Sequence, residues 1–200
     1  MGEMFQKNKT IKWQVLVLLA FALTLFSFYP AGAFQLKPEL YGGWNYPVPP
    51  VNEKMLFYVQ RSNNNNAIVY ETNLKSDSSI VREDPVHVYW IRYSSDSTTA
   101  ELTYIQRKYA YGVQSVEIEG KNGQFILNFV SYDKKKFYLV KSREGNTYQA
   151  LTMIDGKMSV LEKVFIQLNG GTFWFPTIEE IVLHGKDPLT KQKVVEHFKP

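Results

Sequence analysis

Apolar residues occur in short segments along most of the chain, and turn-forming residues separate these segments. Runs of this length, rich in Val, Ile and aromatic residues, are typical of β-strands. The pattern predicts eight to ten strands, in the segments 55–60, 67–74, 86–93, 113–119, 124–132, 137–142, 148–154, 158–168, 178–184 and 194–198. For 178–184 a short helix opened by a Thr177–Glu180 capping box is the alternative, but its isoleucine and valine content favours a strand.

The segment 86–93 is the strongest strand candidate. Its side chains alternate between two largely apolar faces, Val86, Val88 and Trp90 on one and His87, Tyr89, Ile91 and Tyr93 on the other. A strand that is apolar on both faces is expected inside a sheet rather than at its edge.

One segment has helical spacing instead. Thr98 and Glu101 form a capping-box pattern, and Gly112 stands where a helix would end. Between them, apolar residues follow at spacings of three and four: Leu102, Ile105 and Tyr109. The sequence therefore predicts one amphipathic helix over 99–111.

Short turns connect the predicted strands. Compact turns are predicted at 121–123, 144–146 and 155–156, the last with the Asp-Gly pair that favours tight hairpins. The asparagine run 63–66 is interpreted as a turn because asparagine tolerates left-handed backbone angles, and 133–136 as a solvated turn. Sequential hairpins indicate a mainly β fold, an antiparallel meander of eight to ten strands forming a barrel or sandwich.

The N-terminal 33 residues have the layout of a secretory signal. Lys7, Lys9 and Lys12 precede an apolar run, 15–29, and Pro30 is followed by Ala-Gly-Ala ending at Ala33. An uncleaved membrane anchor is the alternative, but a spanning helix needs roughly 20 apolar residues. We expect cleavage near Ala33 and a periplasmic or extracellular protein, with membrane contact only through an uncleaved signal segment.

Residues 34–54 are rich in proline and glycine and are predicted to form an extended arm whose Tyr41, Trp44 and Tyr46 dock onto a single β-rich domain, 55–200.

The chain has no cysteine, which excludes disulfides and thiol chemistry. Without the signal segment, 20 basic residues face 18 acidic ones. This small excess gives no argument for binding nucleic acid or an anionic membrane.

Three stretches are distinctive together: Leu56 to Asn63, Asp84 to Arg92, and Gln106 to Gly112. In these stretches the chain resembles the bacterial domain-of-unknown-function family numbered 4833, over roughly residues 55–200. The resemblance implies an exported bacterial envelope protein and no assigned activity.

The candidate ligand site combines strand-end arginines with aromatic residues. Arg61 and Arg92 end two predicted strands, and guanidinium groups suit carboxylate or phosphate. The predicted ligand-binding residues are Arg61, Asn63, Tyr89, Trp90, Arg92, Gln106 and Arg107. The alternative is that each arginine pairs with an acidic residue at the surface.

No catalytic residue, metal site or cofactor is predicted. The three histidines, His87, His184 and His197, show no ligand spacing, and neither a phosphate-binding loop nor a Gly-x-Ser-x-Gly motif occurs.

The leading hypothesis is non-catalytic binding of a small apolar or amphiphilic ligand by an aromatic interior with a basic rim. An envelope module that binds protein or glycan through exposed aromatics such as Trp44 and Trp174 is the alternative. A hydrolase is the third hypothesis, and it would need two of His87, His184, His197, Asp84 and Glu196 within hydrogen-bonding reach.

Overall fold

The computed structural model describes residues 46–95, 97–142, 147–171 and 176–200. Within these residues, eleven strands and one short helix follow each other along the chain. They are β1 (Met55–Arg61), β2 (Ala67–Thr72), β3 (Val86–Arg92), β4 (Thr98–Glu101), α1 (Tyr104–Tyr109), β5 (Val113–Glu117), β6 (Phe125–Phe129), β7 (Tyr132–Lys141), β8 (Tyr148–Ile154), β9 (Lys157–Gly171), β10 (Pro176–Lys186) and β11 (Lys193–Phe198).

The mainly β fold and all ten predicted strand segments are confirmed, and the segment 178–184 is a strand within β10. The strands form one sheet, curled into a half-barrel, in the order β4-β3-β2-β1-β9-β8-β7-β6-β5, with β10 and β11 added to β9. As predicted, β3 lies inside the sheet, between β2 and β4.

The sheet branches at β9, which pairs with three other strands. Its first residues, 157–160, pair with β8, and residues 163–166 pair with β1 along the same edge. The other edge pairs with β10. The β1–β9 pairing is parallel, whereas every other strand pair that the structure describes is antiparallel. One long-range parallel contact, which the hairpin pattern did not predict, therefore joins the meander β1–β4 to the meander β5–β9.

A second contact brings β11 against β7. The Lys135 ammonium lies 2.6 Å from a carboxylate oxygen of Glu196, and the same carboxylate accepts a hydrogen bond from the Asp155 backbone amide. Lys135 also lies 5.1 Å from the ring centroid of Phe198. The prediction of a solvated turn at 133–136 was wrong, because these residues belong to β7 and one of them joins two parts of the sheet.

The main core lies on one face of the curled sheet. Phe57 and Tyr70 stack with ring centroids 4.5 Å apart, and Phe129 meets both rings edge-on. Tyr70 is fully buried and its hydroxyl donates a hydrogen bond to the Tyr111 carbonyl at 2.9 Å, so the core also fixes the chain after α1.

Two predicted turns match the structure, and a third forms differently. Asp155 and Gly156 have φ of 49° and 72°, and Gly123 in the 121–123 turn also has φ of 72°. None of the asparagines 63–66 has a positive φ. Their turn is instead held by side-chain hydrogen bonds, such as the one from the Asn66 amide to Asn64 Oδ1 at 2.9 Å. The turn predicted at 144–146 lies outside the described residues.

The helix is shorter than predicted and its capping box lies elsewhere. Thr98 and Glu101 belong to β4, since pairing with β3 takes up their backbone groups. The box is formed by Thr103, which accepts from the Gln106 amide, and by Gln106, whose side chain accepts from the Thr103 amide. Two overlapping patterns occur in the sequence, and strand pairing decides between them.

Gly112 is predicted to be indispensable where the chain leaves α1. A Cβ atom at this position would lie 1.8 Å from the Arg107 carbonyl oxygen. We expect Gly112→Ala to lower the free energy of unfolding by about 3 kcal/mol, since backbone must shift to admit the methyl group. Urea denaturation followed by circular dichroism measures this loss.

Gly120→Ala is the matched control. Gly120 has φ of 72° and open space around it, so its substitution should cost only the left-handed strain, about 1 kcal/mol. Equal losses in the two variants would show that the close approach at Gly112 is unimportant.

Candidate ligand site at the end of β1

Arg61, the last residue of β1, lies beside two aromatic rings that contact each other. Its guanidinium carbon is 5.6 Å from the ring centroid of Trp90 and 5.6 Å from that of Tyr111. The two rings meet edge to face, with centroids 5.2 Å apart and an interplanar angle of 85°. A cation near aromatic faces is stabilised by their quadrupoles, so both rings stabilise the charge of Arg61.

Two N–H donors in this setting have no acceptor. Within the described part of the chain, the buried Nε1 of Trp90 and the buried Nε of Arg61 lack a hydrogen-bond partner. The same residues include no carboxylate in an ion pair with Arg61. A buried donor without an acceptor costs about 1–3 kcal/mol, and the site is thus rich in donors and lacks a negative charge.

Strand geometry explains why these groups meet. Arg61 and Trp90 lie on the core face of β1 and β3, two strands separated by β2. Tyr111 is brought over them by its carbonyl, which accepts from Tyr70, and by the corner at Gly112. Burial raises the pKa of the Tyr111 hydroxyl, and the charge of Arg61 partly opposes this shift. Tyr111 was not predicted as a site residue, although it lies in a stretch that carries the family resemblance.

The structure does not gather the other predicted site residues there. Arg92 is exposed at the end of β3, and Asn63 lies in the turn after β1. Gln106 caps α1, and Arg107 pairs with Glu101 at 3.6 Å.

Tyr89 lies on the opposite face of β3 from Trp90, as the alternation predicted. Its hydroxyl donates to Glu71 Oε1 at 2.7 Å. Burial, followed by this carboxylate, raises the pKa of Tyr89. It therefore belongs to a separate cluster with Tyr58, Ala67, Val69 and Ile91.

The aromatic residues of the interior are packed against one another. Phe125, Leu127 and Phe137 are buried within the core that includes Trp90. Two surface concavities of about 450 Å³ lie elsewhere, one at the 117–122 turn and one bordered by Val140, Leu151, Met158 and Leu189. Arg61 lines neither of them. The donor-rich site is therefore at the strand ends, not in a barrel lumen.

A second cation lies among aromatic rings on the opposite face of the sheet. Lys163 Nζ is 5.8 Å from the ring centroid of Tyr58 and 5.2 Å from that of Phe165. Burial lowers the pKa of Lys163. Its neighbour across the β9–β10 pair is His184.

The segment before β1 packs beside this second cation. Tyr46 meets Phe165 edge-on at 5.1 Å and donates to the Ser62 carbonyl, and Gln60 Nε2 donates to the Pro47 carbonyl at 2.8 Å. Tyr46 thus docks onto the domain. The other aromatic residues predicted to dock, Tyr41 and Trp44, lie outside the described residues, as does Trp174.

The residues that a hydrolase would need have other partners. His87 lies 2.8 Å from Glu101, His197 lies 3.2 Å from Glu180, and Glu196 binds Lys135. Among the described residues no hydrogen bond joins two of the five candidates.

Comparison with models of known protein families shows the family of this chain. Residues 57–197 match the model of the domain of unknown function DUF4833. The chain belongs to the DUF4833 family. No curated protein and no solved structure matches it. In the described part of this DUF4833 member, no helix is long and apolar enough to cross a membrane.

His184 should report the charge of Lys163. Burial, then Lys163, lowers the pKa of His184 below its ordinary value of 6.5. We expect Lys163→Met to raise this pKa while burial keeps it below 6.5. Titration by NMR of the imidazole protons measures the change. Lys157→Met, an exposed change at the start of β9, is the control and should leave the His184 titration unaltered.

The same shift links folding to pH. Since the unfolded chain binds this proton more readily, His184 contributes a loss of stability as the pH falls through 6.5 towards its folded pKa. This loss should be smaller in Lys163→Met. A His184 pKa that does not respond to Lys163→Met would contradict the contact.

Proposed function

We propose that the domain is a non-catalytic binding protein for a small amphiphile with an anionic head group. In this proposal Arg61 binds the carboxylate or phosphate, and Trp90 and Tyr111 contact the adjoining apolar part. The observation that carries the proposal is the pair of buried donors, Arg61 Nε and Trp90 Nε1, that lack an acceptor within the described residues.

A negatively charged oxygen would complete this site. A guanidinium binds carboxylate or phosphate through parallel charge-assisted hydrogen bonds, which are stronger than neutral ones. Because Arg61 Nε and Trp90 Nε1 are buried, their attraction to an anion would be stronger than in water. Tyr70, by fixing the Tyr111 carbonyl, keeps one wall in place before a ligand arrives.

Export from the cytoplasm is the second part of the proposal. It is supported by the basic segment, the apolar run and the Ala-Gly-Ala motif of residues 1–33. We expect the mature protein of the envelope fraction to begin at Phe34, and intact-mass spectrometry of the purified protein will show this. A mass that includes residues 1–33 would contradict cleavage and favour a retained anchor.

Binding of dodecanoate tests the head-group site. The mature protein should bind dodecanoate more tightly than the uncharged dodecanol, since Arg61 contacts only the anion strongly. Arg61→Gln should weaken dodecanoate binding by about 10- to 100-fold, the value of a charge-assisted hydrogen bond. Isothermal titration calorimetry measures both ligands, and native mass spectrometry of protein from the envelope fraction identifies a resident ligand.

Two variants control this experiment. Arg92→Gln removes an exposed arginine at the end of β3 and should leave the affinity unchanged. Trp90→Phe keeps an aromatic ring but removes one of the two donors, so it should weaken dodecanoate binding and spare dodecanol. Equal affinities for the two ligands, or equal effects of the two arginine substitutions, would disprove the head-group site.

A second candidate function, an interaction module, is favoured by one observation. Tyr104, Ile105 and Tyr109 on α1 are largely exposed, at 72%, 52% and 64%. Large apolar side chains gathered at the surface often mark a site of contact with a partner.

A further inference from the structure

Helix α1 presents its apolar side chains to solvent. None of its six residues is buried, and Tyr104, Ile105, Lys108 and Tyr109 lie together on it, at positions three to five residues apart or adjacent. We call these four residues the α1 patch. The spacing of Ile105 and Tyr109 predicted an amphipathic helix, and the described part of the domain does not cover the apolar side of that helix.

The α1 patch carries positive charge next to its apolar groups. The last turn contains Arg107 and Lys108, and the first turn contains no acidic residue. Arg107 is partly engaged by Glu101. Lys108 has aromatic neighbours instead, its Nζ lying 5.5 Å from the Tyr104 ring centroid and 5.3 Å from that of Tyr109. Hydrogen bonds to the hydroxyls of Tyr104 and Tyr109 raise the pKa of Lys108. No carboxylate among the described residues forms an ion pair with this ammonium, so it supplies the positive charge of the patch.

The position of this ammonium distinguishes between partners. Sugars bind proteins by stacking on aromatic rings and need no positive charge, but here the Lys108 ammonium lies close to both tyrosine rings. The aliphatic side chain of Ile105 offers no polar group to a glycan. Tyrosine, an aliphatic side chain and lysine together suit the boundary between lipid head groups and acyl chains.

We propose that the α1 patch rests on the surface of an anionic lipid bilayer. In that contact Ile105 and the two tyrosines enter the head-group region, and Lys108 lies near lipid phosphates. The inference rests on the proposed function for its purpose, because the chain runs from α1 directly to Tyr111, a wall of the Arg61 site. The net charge gave no argument for an anionic membrane, because it averages over the whole chain and does not reveal a local positive patch.

Vesicle co-sedimentation tests this contact. The mature protein should bind vesicles of equal parts phosphatidylglycerol and phosphatidylcholine, and bind pure phosphatidylcholine less. Lys108→Gln should weaken binding to the anionic vesicles by about fivefold, the effect of one basic residue near a charged surface. The double variant Tyr104→Ser, Tyr109→Ser should weaken it by about tenfold or more, since two aromatic anchors are lost.

Val116→Ser is the matched control, because Val116 is 59% exposed on β5 but lies outside the patch. It should bind vesicles like the unchanged protein. Circular dichroism and urea denaturation must show that all variants are folded, which the exposure of these positions favours.

The two sites can fail separately. Arg61→Gln should weaken dodecanoate binding and keep vesicle binding. The double variant Tyr104→Ser, Tyr109→Ser should weaken vesicle binding and keep dodecanoate binding. Vesicle binding that is absent, or unchanged by all patch substitutions, overturns the bilayer contact whatever the dodecanoate result. Retention on peptidoglycan that depends on Tyr104 and Tyr109, without vesicle binding, would assign the patch to a glycan instead.

Discussion

The parallel pairing of β1 with β9 is the contact on which the rest of the structure depends. It joins residues 58–61 to residues 163–166 and so unites the two halves of the sheet. Beyond the pairing, the Ser62 amide donates to the Ile166 carbonyl, and the buried Ser62 hydroxyl accepts from the Leu168 amide at 2.9 Å. These bonds fix the chain immediately after Arg61, so the direction of its guanidinium is determined by a strand about 100 residues away.

The same arrangement gives Arg61 its unusual surroundings. An arginine at a strand end is ordinarily solvated or paired with a carboxylate, and a surface pair adds little stability. Here two rings replace the carboxylate, and one of them, Tyr111, is itself held by the fully buried Tyr70. The core therefore supports a positive charge that the described part of the chain leaves unneutralised.

The local pattern of apolar and turn-forming residues was enough to predict the strands, because alternation and turn chemistry depend on only a few neighbouring residues. It was not enough for β4, whose four residues share a capping pattern with a helix start, nor for the start of α1, which lies at Tyr104. Tertiary pairing decided both. Arg61 and Trp90, two of the predicted ligand residues, do lie together, but in place of the expected cluster of arginines the structure has one arginine beside two rings. Tyr111 could be found only from the path of the chain through Gly112.

The chain order of β1 and β9 has a consequence for the synthesis and folding of the protein. A ribosome adds about 5–20 residues per second, so β1 emerges roughly 5–20 s before β9. During that interval the edge of β1 that β9 will cover stays open, and Phe57 and Val59 have only part of their final neighbours. Long-range pairing of this kind makes completion slow. A chain that stops before Lys157 lacks the strand that joins its two halves.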